Sequence, residues 1–395
     1  MRRFRLGLAA ALAAGSAAAL ADAPAAAPAD AAADIVPAFV RPLFPQLQKG
    51  RNDSSPSWAP DGELIAVERA EDARREIVIA WPDGTVARTV YYQANEDDPG
   101  LASLLLGLGK NVSYNSGFTW SPAGVRFVFM SNAGEGNYDL YLGHFGGKAQ
   151  RLTQDPQKDG QPHWSPNGGR VVFVSGRSGA AQLFLLDVDR RETVPISNGE
   201  GAYLYPRWSP DGRRIAAMHG ANENHDIVVL DDLPLRADAA QPQVAQRALT
   251  TWRYDDLSPS WSPDGKRIAF YSNYNAENDP KIWSLVVIEA DGSAPTEGDG
   301  LAARVVAHNV IPDVSMGPAW LPDGKRIAYV RNDKDAYHPI YIVDVESRQS
   351  RRLATGTHIN HDLASSPSGV LAFRAQVDQW DQIFLVKLAE EERSQ

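Results

Sequence analysis

Residues 259–270 read PSWSPDGKRIAF, and nearly the same phrase stands at 206–217 (PRWSPDGRRIAA) and at 318–329 (PAWLPDGKRIAY). A phrase that recurs at long intervals means a chain made by stacking one unit, and this constrains the fold more than any overall property of the sequence. Its core, Trp-x-Pro-x-Gly, begins at Trp58, Trp120, Trp164, Trp208, Trp261 and Trp320, and a seventh copy, SSPSGVLAF, has Ser365 in the Trp position. The intervals are 62, 44, 44, 53, 59 and 45 residues, so the unit is about 44 residues and the longer copies carry insertions.

The Ser-Pro-Asp-Gly stretch has the chemistry of a type I turn: Ser bonds back to the backbone, Pro presets φ, and Gly closes the fourth position. The residues after this turn alternate apolar and polar, as in RIAFYS and RFVFMS, which is the period of a strand. Each unit then gives a second strand such as DLYLGHF (139–145) or QLFLLDV (182–188), a turn, and a short strand ending like QRLTQD (150–155), QRALTT (246–251) or RRLATG (351–356). With the strand that carries the Trp, this makes four antiparallel strands per unit. The sequence therefore predicts an all-β, seven-bladed β-propeller, with a six-bladed ring as the alternative. The recurring Trp, placed at the end of each innermost strand, is read as a filler of the space between blades.

Seven units over 39–390 make one domain, with a tail at 391–395. The segment FVRPLFPQLQKGRND (39–53) resembles the last strand and exit loop of a unit, whereas the seventh unit runs out of chain after its third strand at QIFLVKL (382–388). An amino-terminal strand is therefore expected to complete the last blade, which removes the open edges that a β protein must protect.

The start, MRRFRLGLAAALAAGSAAALADA, has three Arg, a short apolar run and a small-residue cleavage site, the pattern of a secretory signal peptide over 1–21. Cleavage after Ala21 takes the formal charge from −10 to −13. Residues 22–38, rich in Ala and Pro, read as a flexible leader. The chain has no cysteine, so a lipid anchor, disulfides and thiolate metal sites are out, and no segment is apolar and long enough to span a membrane as a helix. The expected product is a monomeric, acidic propeller, periplasmic or secreted. Its charge and the lack of a basic stripe or phosphate-cradling Gly loop argue against nucleic acid as a partner.

The phrase SPSWSPDGKRIAFYSN followed by a strand and Leu-Thr resembles the TolB-type, or WD40-like (PD40), propeller repeat of periplasmic TolB proteins and of the propeller domains of prolyl-oligopeptidase relatives. TolB proteins carry an α/β domain ahead of the propeller and are usually six-bladed; the hydrolase relatives need a Gly-x-Ser-x-Gly elbow, which does not occur in this sequence. The resemblance thus implies a stand-alone propeller of this type.

Five positions before each Trp equivalent stand Asp53, Asn115, Asp159, Tyr203, Asp256, Ser315 and Asn360, which register alone places in a ring at one mouth of the channel. Connectors add Asp97, Asp98, Asp155, Glu200, Asp255, Asp313 and Asp362. An acidic mouth would draw cations or a basic partner, although Asp and Asn at strand entries also cap turns. Asp53, Asn115, Asp159, Asp256, Asp313, Asn360 and Asp362 are the candidate binding residues. No cofactor is required by any motif; a divalent metal is one option, with His308, His358 and His361 as candidate ligands beside Asp362. The insertion at 95–117, with its apolar LASLLLGLG, either plugs the channel or forms a docking patch. The features above the repeat background are charge and loops, which favours a non-enzymatic binding scaffold with an envelope or secreted protein partner. A metal-dependent lyase or hydrolase acting on a glycan is the alternative.

Overall fold

The structure, a computed structural model, describes residues 33–71, 74–90, 115–133, 137–145, 148–221, 224–231, 233, 244–252, 254–274, 282–293, 304–333 and 338–389. The stretch read as a signal peptide, most of the stretch read as a leader, Asp97, Asp98, the apolar part of the 95–117 insertion and residues 391–395 lie outside the described residues. Among those described there is no helix long and apolar enough to cross a membrane.

Seven antiparallel four-stranded sheets form seven blades. The innermost strands are Arg51–Trp58, Asn115–Trp120, Asp159–Trp164, Ala202–Trp208, Asp256–Trp261, Ala319–Trp320 and His361–Ser365. They define blades one to seven around a central channel. The seventh blade takes its outer strand from the other end of the chain: Pro37–Pro42 pairs antiparallel with Trp380–Leu388, with Val40 opposite Val386. The six-bladed alternative is excluded.

Within a blade the sequence phrase is a closed hydrogen-bond device. In blades four and five the turn-glycine N–H groups of Gly212 and Gly265, both at φ 68°, donate to the carbonyls of Ser209 and Ser262 at 2.9 Å. The serine hydroxyls donate to Asp211 and Asp264 and accept the N–H of Arg214 and Arg267, so one side chain fixes the turn and launches the next strand. The Leu-Thr ending has a similar cause. Thr153, Ser197 and Thr250 accept the N–H of Leu140, Leu183 and Ile227, tying the outer strand to the entrance of the third.

Between blades the same phrase makes a second device. In four blades the arginine six residues after the Trp lies over the next blade's indole: Arg126 over Trp164 (5.4 Å), Arg170 over Trp208 (5.1 Å), Arg214 over Trp261 (4.7 Å) and Arg267 over Trp320 (5.4 Å). Such contacts contribute about 0.5–2 kcal/mol each, depending on desolvation. Three of these arginines also donate to the turn-glycine carbonyl of that next blade, at Gly168, Gly265 and Gly324. The indole N–H groups of Trp58, Trp120, Trp261 and Trp320 point back to main-chain carbonyls of the preceding blade, at Ala364, Ser57, Arg207 and Ser260. The Trp side chains are thus inter-blade fillers with a polar handle.

At the ring closure the phrase is incomplete, since blade seven has Ser365 in the Trp position and Leu371 in the arginine position. The amino-terminal segment compensates. Ile35, 2% exposed, exchanges main-chain bonds with Arg352 and Ala354 at the outer edge of blade six. Leu43 is fully buried, donates to Ile383, and packs so closely under the first blade's Trp81–Thr85 turn that a Cβ on Gly84 would fall 2.2 Å from its carbonyl oxygen. One segment therefore touches blades six, seven and one. Ile35 and Pro37, which fall within the stretch read as leader, already pair here, because a lone Ile-Val before Pro37 is too short to show strand periodicity.

Removing residues 33–42 is expected to lower the midpoint of thermal unfolding by more than about 5 °C and to promote self-association through the bared Trp380–Leu388 edge. An unchanged melting curve with monomeric sedimentation would show that the clasp is dispensable.

Candidate functional site

Six of the seven innermost strands break their ladder at the same place. Three residues before the Trp position stand Ser55, Gly117, Gln161, Tyr205, Ser258, Gly317 and Asp362, all with φ between 49° and 76°. In six blades the pairing shifts there by one residue, as where Ser54 opposes Glu68 but Ser57 opposes Ala66. This is a β-bulge, and the Pro that comes next in five blades has no N–H to lose from the ladder. The freed N–H turns toward the preceding blade and is met there. Ser55 N–H donates to Asp362 (3.1 Å), Gly117 N–H to Glu68 (2.8 Å), Gln161 N–H to the Met130 sulfur (3.1 Å) and Tyr205 N–H to Gln161 (2.6 Å).

These bulges and the residues two positions later line a chamber of about 720 Å³ against blades one to four. Its other wall is the connector 311–317, which enters the channel where blade six has only a two-residue inner strand. Asp313 caps this loop by accepting from Ser315 and Met316; Ser258 donates to the Val314 carbonyl (2.6 Å), and Arg207 Nη2 donates to the Ser315 carbonyl (2.6 Å). A second cavity of about 280 Å³, on the side of blades six and seven, includes Tyr271, Asp313, His361, Asp362 and Arg374 and shares Tyr205 and Ser315 with the chamber.

Burial perturbs Glu68, His163 and Arg207 in the chamber wall. Burial raises the Glu68 carboxyl to about 7 against the opposing pull of the Gly117 N–H and Arg75. Burial, reinforced by the positive Arg207, pushes His163 down to about 3, and its Nδ1 accepts the main-chain N–H of Trp208 (3.2 Å). His163 is therefore a neutral structural acceptor near neutral pH. Burial also lowers Arg207 from its ordinary value.

Apart from Ser315, which lines both cavities, the described side chains of the sequence-derived ring lie off the chamber surface. Asp53, 1% exposed, is held by Arg51 and by Arg69 at 2.8 Å; Asp159 is fully buried and takes both bonds from Arg177 Nη2. Asn360 is buried between the His338 carbonyl and the Thr357 hydroxyl, Tyr203 bonds Gln246, and Asp255 pairs with His225 at 2.7 Å. Asp155 caps the Gln157 N–H, and the Glu200 carbonyl meets His219. Asp313 and Asp362 line the smaller cavity, Asp362 in an ion pair with Arg374. The side chain of Asn115 lies outside the described residues.

The histidines do not converge. His308 is on the outermost strand of blade five against Ser284, whereas His361 opens the innermost strand of blade seven and stacks edge-on with His338. Among the described residues no group of three His, Asp or Glu is arranged to hold a metal ion.

Asp256 is the exception in the ring. It is fully buried, neither oxygen meets a donor in good geometry, and burial raises its carboxyl to about 8. The arginine that partners Asp53 and Asp159 from the second strand's end has no counterpart here, where Asn273 and Tyr274 stand.

Chamber-lining residues without a place in the sequence-derived ring are Glu68, Gln161, His163, Tyr205 and Arg207. His163 and Arg207 carry a signal in departing from the repeat, since the position before the Trp is Ser57, Thr119, Ser260, Ala319 or Ala364 in the other blades.

A family model described as the TolB beta propeller domain matches residues 108–297. Among curated proteins, the Protein TolB homolog of Chlorobium luteolum is 30% identical over 154 residues, covering 38% of this chain and 32% of that protein. The chain spans less than a third of the length of the curated relatives it matches. Among solved structures, a puromycin-hydrolyzing peptidase of Mycobacterium tuberculosis is 15% identical with a TM-score of 0.61, over 86% of this chain and 51% of that one. An oligogalacturonate lyase in complex with manganese is 12% identical with a TM-score of 0.60, over 87% of this chain and 91% of that one. At such identities both share the fold alone.

The Asp256 carboxyl holds its proton in the folded state across the interval from an ordinary carboxylate value near 4 to about 8, and the unfolded chain does not. Its contribution to stability is therefore complete below that interval and is lost as pH rises through it. Asp256→Asn should flatten the fall in melting temperature between pH 5 and pH 9; parallel wild-type and variant curves would count against a protonated Asp256.

Proposed function

Because this chain is a TolB-like β-propeller, and because its channel holds a walled chamber and not an open bore, we propose that it is an exported, non-enzymatic binding protein of the cell envelope. A segment of a partner, or a small ligand, enters the chamber between blades one and four. The observation that carries this reading is the chamber itself: about 720 Å³, within the usual range of ligand sites, with apolar wall residues such as Phe118, Val174 and Leu204 and a few convergent polar groups. Its walls are pre-organised, since each bulge that lines it in blades one to four has its N–H tied to the blade before. The Arg-rich start and small-residue cleavage pattern of residues 1–21 support export.

A catalytic reading draws on Glu68, whose carboxyl near 7 suits general acid-base work. That chemistry lacks a second group, because His163 stays neutral with its Nδ1 committed, and His308, His358 and His361 do not gather into a ligand set with Asp362. The described residues thus do not fit a manganese site, and the binding reading is the better supported.

Ser57→Trp fills the chamber from blade one without touching the turn phrases. Immobilised mature protein should capture envelope components that the variant no longer retains, at an unchanged melting temperature. Identical captured sets would remove the chamber as the binding site.

A further inference from the structure

The chamber is a positive enclosure in an acidic protein. The whole chain has a formal charge of −10, yet the charged residues lining the chamber are Arg75, Lys158 and Arg207 against Glu68 alone. Arg207 is the charge the repeat does not call for, since the other six blades have uncharged side chains at its position. Its Nη1 and Nη2 donate to the carbonyls of Pro206 (3.1 Å) and Ser315 (2.6 Å), and among the described residues no carboxylate lies within ion-pairing distance. Asp313, the acid whose field reaches it most, spends Oδ1 on its own loop. Two of five guanidinium N–H groups are therefore used, and both face neutral oxygens. A recessed guanidinium left in that state gains more from an incoming anion than an exposed one does.

Resting on the chamber reading, we propose that the ligand end received there is the carboxyl terminus of a peptide with an apolar last residue, its carboxylate held by the free N–H groups of Arg207. The walls favour this over a polyanion. Phe118, Met130, Val174, Leu204 and Met316 offer an apolar surface beside one unpaired guanidinium, which suits a single negative charge next to an apolar side chain. Ser116 and Gln161 on the same wall supply partners for the peptide's amides, which an alkyl acid would leave unused.

The test is calorimetric titration of the mature protein with N-acetyl-Ala-Ala-Leu, with the same peptide as its carboxamide, and with octanoate. The acid should bind at least about tenfold more tightly than the amide and than octanoate. In Arg207→Gln the ratio of acid to amide affinity should collapse to about one, and Arg207→Lys, which keeps the charge but loses the fork, should fall between. The comparison of acid with amide on the wild type needs no variant to fold. Equal binding of acid and amide, with both abolished by Ser57→Trp, would overturn the carboxylate assignment and leave the chamber in place. Octanoate binding as tightly as the peptide would overturn the choice of peptide. No binding by any of the three would overturn the inference, whereas the capture experiment separately decides the chamber.

Discussion

The ring depends on an arginine that reaches forward and a tryptophan that reaches back. Four blades send the arginine at +6 from their own Trp position over the next blade's indole, and four indoles return a hydrogen bond to the blade behind. A propeller has no core common to all its blades, so its stability is largely a sum of such neighbour interfaces. Where the indole is missing, at Ser365, Arg326 turns to its own Asp323, and the closing interface must be made by another means. The clasp of Ile35, Pro37–Pro42 and Leu43 is that means, and it works by strand pairing and burial because the stacking pair is absent.

The same geometry fixes where chemistry can sit. Indoles occupy the gaps between blades, so the last inner-strand residue is unavailable for binding. The bulge three residues earlier rotates the strand just enough to turn a side chain toward the channel and an N–H toward the preceding blade. These positions tolerate variation: the seven bulge residues include Ser, Gly, Gln, Tyr and Asp, while the Pro, Trp and Gly of the phrase barely change. Most of the variation in blades one to four serves to join blades, as when Gln161 accepts Tyr205 N–H and His163 accepts Trp208 N–H. Arg207, two positions after the bulge of blade four, holds the channel connector and still has donors to spare.

The blades were legible because each residue's role is repeated: a turn, a Trp and an alternating strand written seven times leave little room for another fold. The Asp ring was legible as a ring but not in its role. Whether Asp53 faces solvent or an arginine depends on residue 69, sixteen positions on in another strand, and for Asp159 on residue 177. Reading that offset across the blades would have separated Asp256, whose second strand ends in Asn273 and Tyr274, from the paired acids. The chamber was harder to see. It requires knowing that 311–317 crosses the channel, and the sequence around Met316-Gly317-Pro318 reads as an ordinary strand entry. Nothing local to His308 or His361 shows that an outer strand of blade five and an inner strand of blade seven keep them apart.

An acidic ring and a positive chamber are consistent once each charge is assigned its partner. The ring acids are spent on arginines that fasten strand ends, which neutralises both members and leaves the mouth less negative than its composition implies. Asp256, with no arginine, escapes its unpaired charge by keeping a proton, and Glu68 partly does the same. A guanidinium has no such escape near neutral pH, because burial cannot lower it far enough to shed its proton. Arg207 therefore remains charged in a channel where burial raises the nearby Glu68 and Asp313 carboxyls and so weakens their hold on a charge. The net sign of the interior is set by which groups are able to neutralise themselves, and a count of Asp and Glu against Lys and Arg does not reveal it.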